Sequence, residues 1–520
     1  MIALPVRIDR LKATKRRPQG PQKSTSLKPA AGPAPVAELP QRVWRIAAAA
    51  ILAAAALLRL YDLGLKPLHH DEGVNGVFLV RLLREGYYHY DPANYHGPTL
   101  YYLALLVTRI NSLFHGDGLS DASVRVITAV FGIATVALAL WMRRLLGQRE
   151  ALVAAALIAL SPCAVFYSRY FIHETLFVFF TLVVAVCGWQ AWKESDSGYI
   201  PTGAVAAAFL FATKETALAS LVVLALAVLT QRVWVRMKEG RPAPTPLRPP
   251  RVARYLAVGA ALFGVVYVLL YSSFFTNPKG IRDSLESLTI WTKTGFSMEF
   301  FPKYAYLWWI AQEEWPLLLV AVVGTAVAVW SKPRGFAAFA GIWAAGMFAV
   351  YTLIPYKEPW LALNFIVPAA IAGGYGAVRL WKRMRLLAWL GAALAIVLVY
   401  QTVYLNFIHY DDEAERYVYQ QTTREINDLV REVEAVAVRT HTGHKMAIAI
   451  EAPEYWPLPW YLRDYGDAGY WGRIIDTQAP VVISSKLQAW DVKDRLGPAY
   501  QFVRLYDLRP GVTLALFTRK

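Results

Sequence analysis

Apolar residues in this chain gather into long runs separated by short polar connectors. Runs of about 20 residues, long enough to cross a bilayer, recur from Trp44 to Leu405. They predict spans at 44–63, 122–144, 150–168, 173–192, 200–214, 215–234, 254–273, 315–330, 335–354, 359–381 and 385–405. The run from Val43 to Leu63 is too long for a secretory h-region and reads as a retained first helix. Residues 96–114 are apolar enough to cross but carry Arg109 and Asn111. The connectors "MRRLLGQRE", "QRVWVRMKEGRPAPTPLRPPRVAR", "SKPRG" and "RLWKRMR" are all basic and share one side of the membrane only if 96–114 does not cross. That segment is therefore read as a re-entrant or interfacial helix within a long first external loop, 64–121.

After Leu405 the long runs end. "DDEAERYVYQQTTREINDLVREVEAV" predicts an amphipathic helix with Ile426, Leu429 and Val433 on one face. "KMAIAIEA", "APVVISS" and "YQFVRLYDLRPGVTLALFT" follow as strands, the last folding back at Pro-Gly as a hairpin. The expectation is a polytopic α-helical membrane protein of about eleven transmembrane helices (44–405) with a small C-terminal α/β domain (406–520) outside the cytoplasm. Residues 1–43, basic and rich in Pro, Ala and Ser, read as a disordered cytoplasmic tail.

Composition supports this assignment: 56% of the 520 residues are hydrophobic and only 18% charged. The formal charge of +17 is spread over the connectors, so it reports orientation and not a nucleic-acid partner. Cys163 and Cys187 both lie in apolar runs and read as packing residues.

The polar clusters all fall on the outer face of this topology. "KPLHHDEGVNG" carries His70, Asp71 and Glu72 at the start of a segment whose Val74, Val77, Phe78 and Leu82 recur at helical spacing. Asp71 suits a helix N-cap, and the two carboxylates, pointing about 100° apart, suit different tasks: one a base, the other holding the loop or a ligand. "YSRYFIHET" places Arg169, His173 and Glu174 at the mouth of a span. "ATKET" puts Lys214 and Glu215 inside an apolar stretch, where ionisable groups cost several kcal/mol unless paired or solvated. "YKEPW" adds Lys357 and Glu358. Together these describe a cavity with carboxylates for proton removal and lysines for an anion such as phosphate. No closed zinc-site spacing occurs, so no cofactor is assigned and a divalent cation is left open.

"HHDE", "YHGP", "DASVRVITAVFG", "IHE", "ATKET", "YKEPWLALNFIVP" and "WPLPWYLRDY" resemble the GT-C glycosyltransferases of the protein-mannosyltransferase superfamily. Among these they are most similar to the prokaryotic flippase-activity-associated subfamily. The resemblance covers residue 44 to about 470. It implies a multi-pass enzyme of the cell (plasma) membrane that moves a sugar from a polyprenyl-phosphate donor to a glycan, lipid or protein acceptor outside the cytoplasm, inverting the anomeric centre. It places the catalytic base on Asp71, assigns Glu174 the acidic position after the third span, and includes Glu72 in the catalytic set. His70, His96, Arg169, His173, Lys214, Glu215, Lys357 and Glu358 become substrate-binding candidates, with Lys214, Lys357 and Arg169 for the departing phosphate. Where the mannosyltransferases have an "HPP" type of segment, this chain has His96-Gly97-Pro98. A flippase for lipid-linked sugars is the alternative; it predicts internal repeats and a polar path open to both faces, and the sequence offers neither.

Overall fold

The computed structural model describes residues 38–93, 96–193, 196–240, 249–294, 301–332 and 335–520. Most of the basic tail and residues 241–248 of one basic connector lie outside the described residues. From Pro40 to Lys520 the chain forms one compact unit.

Its helices are α1 (Gln41–Leu60), α2 (His70–Glu85), α3 (Thr99–Asn111), α4 (Asp121–Trp141), α5 (Arg143–Leu146), α6 (Gln148–Leu160), α7 (Pro162–Ser168), α8 (Glu174–Lys193), α9 (Tyr199–Phe211) and α10 (Ala217–Glu239). They continue with α11 (Pro249–Tyr271), α12 (Lys279–Thr294), α13 (Ala305–Glu313), α14 (Trp315–Trp330), α15 (Phe336–Leu353), α16 (Leu363–Trp381) and α17 (Leu386–Val403). Each of the eleven expected spans is occupied by a helix. Eight are long and apolar enough to cross a membrane alone, and two bent pairs, α6 with α7 and α13 with α14, qualify together. The eleventh, α9, is a shorter apolar helix.

The centre of the bundle is α16, which packs against α6, α14 and α15. By contrast, α1, α11 and α17 turn most of their apolar surface outward, as helices bathed in lipid do. The 96–114 segment contains only the 13-residue α3, laid against α2 and α4. At 1.5 Å per residue it is about 20 Å long, too short for a bilayer core of about 30 Å.

The C-terminal region carries α18 (Glu425–Arg439), α19 (Leu458–Tyr461), α20 (Ala489–Leu496) and five strands, β1 (Ile448–Ile450), β2 (Ala468–Tyr470), β3 (Val481–Ser485), β4 (Tyr500–Arg509) and β5 (Val512–Arg519). The strand order is β2-β1-β3-β5-β4, with β1 parallel to β2 and β3 and the other pairings antiparallel. Alternation along the strands serves two layers. Ile448, Ile450 and Ile483 meet Ile426, Leu429 and Val433 of α18, while Ala449 and Val482 meet Val492 of α20. The amphipathic helix is shorter than expected: 411–424 lie in turns and irregular chain. The bundle draws that segment away from helical geometry, since Tyr167 Oη donates to the Tyr417 carbonyl at 2.9 Å and Tyr417 Oη to Glu314 at 2.8 Å.

Candidate active site

The loop between α1 and α2 is held by one buried ion pair. Glu72 accepts four hydrogen bonds: from Arg125 Nε (2.7 Å) and Nη2 (2.6 Å), and from the backbone N–H of His69 (2.9 Å) and Phe171 (2.7 Å). Arg125, one turn into α4, spends its remaining donors on the carbonyls of Leu63, Lys66 and Pro67 at 2.8–3.0 Å. Both side chains are fully enclosed, and every lone-pair direction of the carboxylate and every guanidinium N–H has a partner. Glu72, expected in the catalytic set, is thus occupied in fastening the loop to α4 and to the 169–173 turn.

Asp71 does not cap the helix. His69 does: its Nδ1 accepts from the Asp71 N–H at 3.2 Å, and Glu72 returns the bond to the His69 N–H, closing a capping box. The Asp71 carboxylate is left without a hydrogen-bond donor among the described residues. It keeps part of its surface open, yet the surrounding protein pushes its pKa up to about 6, by burial and then by the Glu174 charge, against the opposing pull of His96 and Lys214.

Two further loops meet beside it. Gly97 lies flat on the loop between α9 and α10, where a Cβ would stand 2.3 Å from the Ala212 carbonyl oxygen; the Thr99 N–H donates to that same oxygen at 2.9 Å. This contact brings His96 Nδ1 to 2.7 Å from Glu215 Oε2, with Tyr90 Oη donating to Oε1 at 3.1 Å. Lys214 is ion-paired not with its neighbour Glu215 but with Glu174, the first residue of α8. His173 packs its ring 5.0 Å from that of His96.

The loop before α16 supplies the opposite wall. Glu358 Oε2 is buried without a hydrogen-bond partner, and burial followed by the Asp71 charge pushes its pKa up to about 9. Lys357 is buried and donates to the Ile354 carbonyl at 2.6 Å. Arg169 does not join the phosphate cations. Its guanidinium donates to the carbonyls of Tyr61 (2.6 Å) and Asp62 (2.9 Å) just past the end of α1, and lies over the Phe407 ring. Uncapped carbonyls at a helix end are a ready partner for a cation.

The C-terminal region closes the site. Arg509 reaches His70 (Nη1 to Nδ1, 3.4 Å) while donating to the Trp456 carbonyl (2.9 Å) and to Glu454 (2.5 Å). Asp121 receives Trp460 Nε1 at 2.8 Å and Tyr461 Oη at 2.7 Å. Trp460 packs with Leu79, Val124 and Phe171 of the bundle and not inside the small sheet's core.

Residues 95–240 match the family described as dolichyl-phosphate-mannose-protein mannosyltransferase. The fold is similar to that of ArnT from Cupriavidus metallidurans bound to undecaprenyl phosphate, at TM-score 0.66 and 14% identity over 92% of this chain and 98% of that one. The chain has the GT-C fold of that structure. Archaeal oligosaccharyltransferase AglB from Archaeoglobus fulgidus, in complex with an inhibitory peptide and a dolichol-phosphate, is a second similar structure, with TM-score 0.54 and 12% identity over 86% of this chain and 70% of that one. No curated protein matches the sequence.

Within the GT-C fold, the loops brought together are 69–72, 96–98, 173–174, 214–215 and 356–358. Arg125, Asp121 and Arg509 were not singled out by sequence reasoning. Arg125 was open to the rule that flagged Lys214, an ionisable residue inside an apolar helix; nothing local marks Arg509. Among the described residues no group of three or more His, Cys, Asp or Glu is placed to hold a metal ion.

Proposed function

We propose that the protein transfers a sugar from a polyprenyl-phosphate-linked donor to an acceptor outside the cytoplasm, with Asp71 as the base. The observation that carries this is the Asp71 carboxylate, unbonded, partly open and raised to about 6, beside the Glu174–Lys214 pair. A base of that pKa is mostly ionised at neutral pH and still a good proton acceptor. The acceptor hydroxyl gives its proton to Asp71 as its oxygen attacks the anomeric carbon. The bond from that carbon to the phosphate oxygen breaks, configuration inverts, and polyprenyl phosphate leaves with the electron pair.

Lys214 and Lys357 provide the positive charge for that phosphate, and Glu174 holds Lys214 as its ion-pair partner. Glu358, neutral at pH 7, offers a proton to a phosphate or sugar oxygen. His70, His96, His173 and Glu215 line the sugar and acceptor side, and Glu72 serves by positioning α2. The lipid carriers bound by ArnT and AglB support the choice of donor class. The basic connectors support a plasma-membrane enzyme with its N-terminus inside and this site outside.

The test is transfer from a panel of labelled polyprenyl-phosphate sugars into native acceptor membranes. Wild type transfers from one donor, and Asp71→Asn loses about 10²- to 10⁴-fold; equal transfer by both would remove Asp71 from the mechanism.

A further inference from the structure

Gly73, Gly76, Val77, Val80 and Arg84 form one stripe along α2 at helical spacing. At its start the stripe touches the C-terminal region directly: a Cβ on Gly73 would lie 2.3 Å from Pro457 Cβ, and one on Gly76 2.5 Å from Trp460 Cε3. Farther along, the two surfaces part and a cavity of about 460 Å³ opens between them. One wall is aromatic, made by Tyr455, Trp456, Tyr465 and Tyr470; the α2 wall carries Arg81 and Arg84. The Tyr455 ring lies 5.1 Å from that of Tyr470 and 5.9 Å from that of Trp456, so the rings form a nearly continuous surface. Arg84 donates to the Arg463 carbonyl at 2.9 Å, whereas Arg81 has no ion pair among the described residues.

This cavity adjoins the catalytic end of α2. The Trp456 ring is 6.1 Å from that of His70, which immediately precedes Asp71. At 1.5 Å per residue, Val77 and Arg84 stand about 9 and 20 Å along the helix axis from Asp71. At 100° per residue His70 shares the face of the stripe while Asp71 turns away from it, so the cavity borders the site at His70.

We propose that the cavity binds carbohydrate: the distal rings of a glycan acceptor, held at the His70 edge of the site. Sugar rings combine apolar C–H faces with a rim of hydroxyls, and the cavity matches both, with flat aromatic faces on one side and guanidinium donors on the other. Its volume lies within the range of small-molecule sites. A lipid tail would leave Arg81 and Arg84 facing hydrocarbon. The word acceptor rests on the transferase reading; the sugar site itself does not.

The test is saturation-transfer NMR on the full-length protein in detergent, with manno-, malto- and chito-oligosaccharides of three to five rings as probes and a neutral pentapeptide beside them. At least one sugar series receives saturation, and both Val77→Trp, which fills the cavity and leaves the aromatic wall intact, and Tyr470→Ala reduce it more than fivefold. No transfer to any series, transfer that survives in both variants, or transfer to the peptide alone would overturn the proposal. Donor hydrolysis by the wild type in the same preparation tests the other reading separately: sugar binding without any donor turnover rejects the transferase and keeps the sugar site.

Discussion

The two sides of α2's first turn use charge in opposite ways. Toward α4, Glu72 accepts four hydrogen bonds and Arg125 donates five, all buried. On the other side, among the described residues, Asp71 has no donor on its carboxylate and Glu358 buries an oxygen without one. Hydrogen bonds to the ionised form lock a carboxylate into that form; their absence, with burial, leaves it free to take up a proton near neutral pH. Residues adjacent in sequence are thus told apart by counting donors, and the saturated one is structural.

Several substitutions probe this contrast. Asp71→Asn has the largest effect on rate, about 10²- to 10⁴-fold, with no loss of melting temperature at pH 7, because it gives up no hydrogen bond. A large drop in melting temperature would place Asp71 with the fastening residues instead. Arg125→Ala leaves Glu72 buried and unpaired, so chemical unfolding in detergent reads a loss of about 3–5 kcal/mol. For Gly73→Ala the expected cost is about 1–3 kcal/mol, since the added methyl meets Pro457; a variant as stable as wild type would show that the C-terminal region rests on α2 less tightly than it does here.

The pH dependence follows from the raised Asp71 pKa. The base form is lost as pH falls through about 6, so transfer declines by up to about tenfold per unit below that. Between pH 3.8 and about 6 the folded state holds more protons at Asp71 than the unfolded state. This contribution therefore reduces stability as pH rises through that window, and melting curves of Asp71→Asn lose that dependence. Smallest is Glu358→Gln, which mimics the neutral carboxyl: the rate at pH 7 is nearly unchanged, and any alkaline change near pH 9 disappears from the profile. A rate collapse at pH 7 would mean that Glu358 acts ionised.

The helices and the gathering of polar loops at one end of the bundle were legible because membrane insertion demands long apolar runs and restricts basic connectors to one side. The hairpin was legible from its Pro-Gly turn. What could not be read were pairings between distant segments. Lys214 and Glu215 suggest a pair by adjacency, yet each bonds a residue from another loop, Glu174 and His96. Asp71 has the better N-cap chemistry, but the Glu72–Arg125 bond sets where the helix begins, and that leaves the cap to His69. The helix expected from residue 411 starts only at Glu425, and 411–424 lie in turns and irregular chain where Tyr417 is attached to the bundle.

The contact between Arg509 and His70 spans 439 residues of chain. Contacts of such separation form late, since the intervening segment must be ordered before its ends can meet. The rim of the site is therefore absent while the membrane helices are being inserted and is completed only when the last hairpin folds against α2. Until residue 509 has been made and docked, the wall beside His70 is unfinished.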